Sequence, residues 1–73
     1  MEREQKREVV VREVAAARGL NAEAVNDETL VYADLSIVER TLLKGKILQG
    51  TKSSGWASGN MQQLTVGQLV SKL

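Results

Sequence analysis

The chain has 73 residues, room for one small domain whose core is of marginal size. It has no cysteine and no histidine, which removes disulfides, thiol nucleophiles, cysteine-based metal sites and any self-contained Ser-His-Asp site; the expectation is a protein that is not an autonomous enzyme and holds no metal. The formal net charge is only +1, but residues 1–39 carry all nine acids against five bases, whereas residues 40–73 carry Arg40, Lys44, Lys46, Lys52 and Lys72 and no acid.

Such asymmetry can mark a surface for an anionic partner; the plainer reading, in which the halves fold together and cancel, is preferred. With no Phe and only one Trp and one Tyr, the core must be aliphatic. The N-terminus is charged, without an apolar run behind its first bases, so no signal peptide is expected. No segment approaches transmembrane length. The expectation is a cytoplasmic protein that does not engage a membrane.

Residues 1–8 are polar throughout, either the first turns of a helix or a tail. They are set apart as an extension, with 9–73 as the single domain. From Val9 the pattern turns amphipathic: Val10, Val14 and Ala17 recur at helical spacing, and Ala15-Ala16-Ala17 favours a helix. The first helix is predicted over about 5–18 and capped by Gly19, with Leu20 closing back on it. Residues 20–35 read as a long loop. Asn21 can start a single helical turn, Asn26-Asp27-Glu28-Thr29 is turn chemistry, and Leu30, Val31 and Leu35 are pegs onto the core.

Ser36 followed by Glu39 is a capping box, with the hydroxyl accepting from one backbone N–H and the carboxylate from another. It opens a second helix over about 36–49, expected to stop at Gly50. Gly45 lies inside that helix at a cost of up to about 1 kcal/mol against Ala, so either another backbone approaches there or the helix is weak. Residues 50–60 are rich in Gly and Ser and read as a loop. Trp56, alone in it, is expected to pack back on the core. Gly50 and Gly55 are not a phosphate-binding loop, because Trp56 and Ala57 stand where Lys and Ser/Thr belong. A turn is expected at 60–63. Thr65 and Gln68 form a second capping box that opens a last helix over about 65–73. The sum is all-α, a small antiparallel bundle of three to four helices. Its expected core is Val10, Val14, Leu30, Leu42, Leu43, Ile47, Val66, Leu69 and Val70.

Four stretches, over about residues 9–73, resemble the acyl carrier and peptidyl carrier proteins. Arg18-Gly19-Leu20-Asn21-Ala22-Glu23-Ala24-Val25 is similar to the end of the carrier first helix and the turn after it. Asp27-Glu28-Thr29-Leu30 resembles a segment of the long first loop, Asp34-Leu35 the Asp-Leu-Gly before the prosthetic-group serine, and Leu64-Thr65-Val66-Gly67-Gln68-Leu69-Val70 the opening of the last helix. The resemblance implies a four-helix bundle with a short third helix. It also implies a serine at the start of the second helix that receives 4′-phosphopantetheine from a phosphopantetheinyl transferase.

The family's Asp-Ser-Leu does not appear here. If Asp34-Leu35 is matched to Asp-Leu, Glu39 takes the place of the modified serine and cannot form a phosphodiester. If Ser36-Ile37 is read as Ser-Leu, Ser36 is the cofactor-binding residue, but Leu35 replaces the aspartate. The second helix also carries Arg40, Lys44 and Lys46 against Glu39, whereas carriers usually present an acidic helix there. As a helix N-cap alone, Ser36 would contribute about 1 kcal/mol.

The preferred expectation is a carrier-like module that docks on enzymes of a fatty-acid, polyketide or nonribosomal-peptide type pathway, without the arm. One alternative is a genuine carrier modified on Ser36. The other is a small helical interaction or nucleic-acid-binding domain using the basic half. Against nucleic acid stand the long 50–60 loop, unlike a helix-turn-helix connection, and the absence of aromatic-basic interleaving.

Overall fold

The computed structural model describes residues 2–53, 55 and 63–73, and is all-helical with no strand among them. Helix α1 spans Arg3–Arg18, α2 spans Ile37–Thr51 and α3 spans Val66–Lys72, with a single 3-10 turn at Ala22–Ala24. Both α2 and α3 pack against α1, which is the central element. The expectations for Trp56 and for most of the 60–63 turn fall outside the described residues.

Helix α1 begins earlier than expected. Of the two forms open to the polar leader, residues 3–8 take the helical one. The Lys6 ammonium donates to the Leu73 carbonyl and Arg7 Nε donates to Asp27 Oδ1 at 3.1 Å, so these turns are tied to the far end of the fold and to the long loop. The helix ends as its sequence requires: Gly19 adopts a left-handed conformation (φ 68°) and Leu20 N–H donates to the Ala15 carbonyl at 2.8 Å.

Helix α2 does not stop at Gly50. It continues to Thr51, and Lys52 takes the left-handed cap (φ 55°). Gly50 has another task. A Cβ placed on it would lie 2.7 Å from Val9 Cγ1, so its missing side chain lets α2 close against α1. Gly45 shows no such approach: among the described residues nothing lies within 4 Å of where its Cβ would be.

The core is aliphatic, as composition demands, with one aromatic. Val10, Val14, Ile47, Val66 and Leu69 are fully buried, and Leu43 and Val70 nearly so. Leu42 is not part of it, being 60% exposed. The inward positions of α2 are Leu43, Ile47 and Thr51, spaced four apart, and their neighbour Leu42 is turned away. Leu30 is also largely exposed, at 37%. It pairs with Thr65 in an isolated antiparallel bridge, and in extended backbone adjacent side chains point to opposite faces, so Val31 enters the core instead. Tyr32, Val25, Leu35 and Leu64 join it there.

The loop before α2 is stitched to the start of α3 by backbone. Val31 N–H donates to the Leu64 carbonyl and Val66 N–H to the Thr29 carbonyl, both at 2.9 Å, and Gly67 N–H donates to Asp27 at 3.0 Å. Arg18 Nη1 donates to the Leu30 carbonyl at 2.7 Å. Donors at the N-terminus of α3 that have no partner within the helix are thereby satisfied. The arrangement fixes where the loop ends, and hence where α2 begins.

Candidate functional site

The chain enters α2 through a short turn, in which Leu35 N–H donates to the Tyr32 carbonyl at 3.2 Å. Asp34 adopts a left-handed backbone (φ 61°), which Asp tolerates better than most residues. Ser36 then stands exposed at the N-cap. Its Oγ accepts from Glu39 N–H at 3.2 Å, and its own N–H donates to Glu39 Oε1 at 3.0 Å, which is the full capping box. These contacts hold the Glu39 carboxyl below the usual carboxylate range, chiefly through the Ser36 N–H and then its hydroxyl. Arg40, one residue on, locks the joint from the other side by donating from Nε to the Leu35 carbonyl at 3.1 Å.

Beneath this joint lies Tyr32, 1% exposed, whose hydroxyl has no hydrogen-bond partner among the described residues. Burial pushes its pKa up to about 12, and the nearby Arg40 charge partly opposes that rise.

Above the joint the surface is apolar. Ile37 is 80% exposed, Val38 68% and Leu42 60%. The face of α2 turned away from the core carries Val38, Thr41, Leu42, Gly45 and Gln49 at helical spacing, all exposed and none charged. An open groove of about 470 Å³ runs along one flank, lined by Ile37, Arg40, Thr41 and Lys44. On the other flank a smaller groove of about 180 Å³ lies between α1 and α2, with Ala16, Ala17 and Leu42 in it and Glu13, Glu39 and Lys46 at its polar positions. Neither groove is enclosed, so each suits the side chains of a docked surface better than an engulfed small molecule.

The two residues that compete for the carrier-serine position thus sit together, Ser36 at the cap and Glu39 in the first turn. The N-terminus of α2 favours a phosphate in principle. Here the Ser36 N–H already serves the Glu39 carboxylate, and the Glu39 N–H serves Ser36 Oγ. A phosphodiester on Oγ would stand beside the Glu39 charge without those donors. The hydroxyl is exposed at the helix N-cap, with the Glu39 carboxylate hydrogen-bonded beside it. Among the described residues no group of three or more His, Cys, Asp or Glu could hold a metal ion, and no helix is long and apolar enough to cross a membrane.

Leu42, expected in the core, lies instead on the surface with Ile37 and Val38. The signal was present in the spacing, since α2 has more apolar positions than one inward stripe can bury. Fold and surface together define, among the described residues, a small all-helical domain that presents an uncharged helix face with exposed Val38 and Leu42 beside a capped serine. No family model, no curated protein and no solved structure matches the chain.

Proposed function

We propose that this chain is a protein-docking module of carrier-like build, working without a phosphopantetheine arm on partner enzymes of a fatty-acid, polyketide or nonribosomal-peptide type pathway. The carrier-like part of the reading rests on the four sequence stretches that resemble those proteins, and the order of the helices is compatible with it. One observation carries the docking part: Ile37, Val38 and Leu42 are exposed together in the first turns of a well-capped helix. Large apolar side chains left in water this close together along one helix are what a partner surface would cover. What supports the armless part is the Glu39 carboxylate, hydrogen-bonded beside Ser36, where its charge would oppose a phosphate on the hydroxyl.

Incubation with a broad-specificity phosphopantetheinyl transferase and coenzyme A tests this, read by intact mass. The mass is expected to stay unchanged. A gain of one phosphopantetheinyl group, lost in Ser36→Ala and retained in Glu39→Gln, would instead establish a genuine carrier modified on Ser36.

A further inference from the structure

We draw no further inference here: the strongest candidate, the exposed outer face of α2 from Val38 through Leu42 and Gly45 to Gln49, carries none, because nothing in the structure shows what covers it.

Discussion

Two neighbouring stretches of this chain are both rich in apolar residues and have opposite fates. Residues 25–35 belong to a loop, yet Val25, Val31, Tyr32 and Leu35 are buried. Residues 37–42 belong to a regular helix, yet Ile37, Val38 and Leu42 face outward. The loop is buried because its backbone has partners: Thr29, Val31 and Asp27 exchange hydrogen bonds with Leu64, Val66 and Gly67, so its side chains can follow inward without stranding polar groups. The helix satisfies its own backbone and needs only one stripe of its surface against α1, which Leu43, Ile47 and Thr51 supply. Apolar character alone therefore does not select the core. What selects it is which residues the backbone pairing and the helix phase turn inward.

The comparison can be broken first with two leucines. Leu69→Ala, at a fully buried site, should cost about 2–5 kcal/mol in urea unfolding, whereas Leu42→Ala on the outer face should stay within about 0.5 kcal/mol. Equal losses would mean that the outer face is packed after all.

Tyr32 sharpens the loop side of it. Its folded pKa is raised from 10.0 to about 12, so the neutral hydroxyl is preferred in the native state. Its contribution is fully present below pH 10 and is lost as pH rises towards 12. The fall should be about 2 kcal/mol once solvent screening in so small a domain is allowed for. Tyr32→Phe should flatten that alkaline fall. At neutral pH it should leave stability equal or higher, because the hydroxyl has no partner among the described residues to lose. A marked loss at neutral pH would reveal a hydrogen bond to this hydroxyl and sink the account of its raised pKa.

The two glycines of α2 give effects of opposite sign. Gly50→Ala must displace Val9 from a 2.7 Å approach, and should destabilise by about 1–3 kcal/mol. Gly45→Ala meets nothing within 4 Å among the described residues, and should stabilise the free protein by up to about 1 kcal/mol. If both changes shift the thermal midpoint in the same direction, the inner and outer faces of α2 have been assigned wrongly.

Much of the helical frame was legible from local chemistry. The capping boxes of Ser36–Glu39 and Thr65–Gln68 and the left-handed Gly19 sit where their residue types place them, because capping is decided within a few residues of chain. The position of Ser36 was legible for the same reason. The crowding of its environment by Glu39 was only implicit in that box, and the lock from Arg40 to the Leu35 carbonyl carries no signature in sequence.

What tertiary structure alone decided is how the pieces face one another. Which glycine of α2 is needed for packing depends on where Val9 of α1 arrives, and no local rule separates Gly45 from Gly50. Leu30 and Val31 are equally apolar neighbours, and only the bridge to Thr65 determines that Val31 goes in. Leu42 and Leu43 differ by one residue, about a quarter turn of helix, and the phase of α2 against α1 separates core from surface. Local sequence sets where helices begin and end because those bonds span a single turn. Contacts between elements far apart in the chain set which face is buried, and so which face is left for a partner.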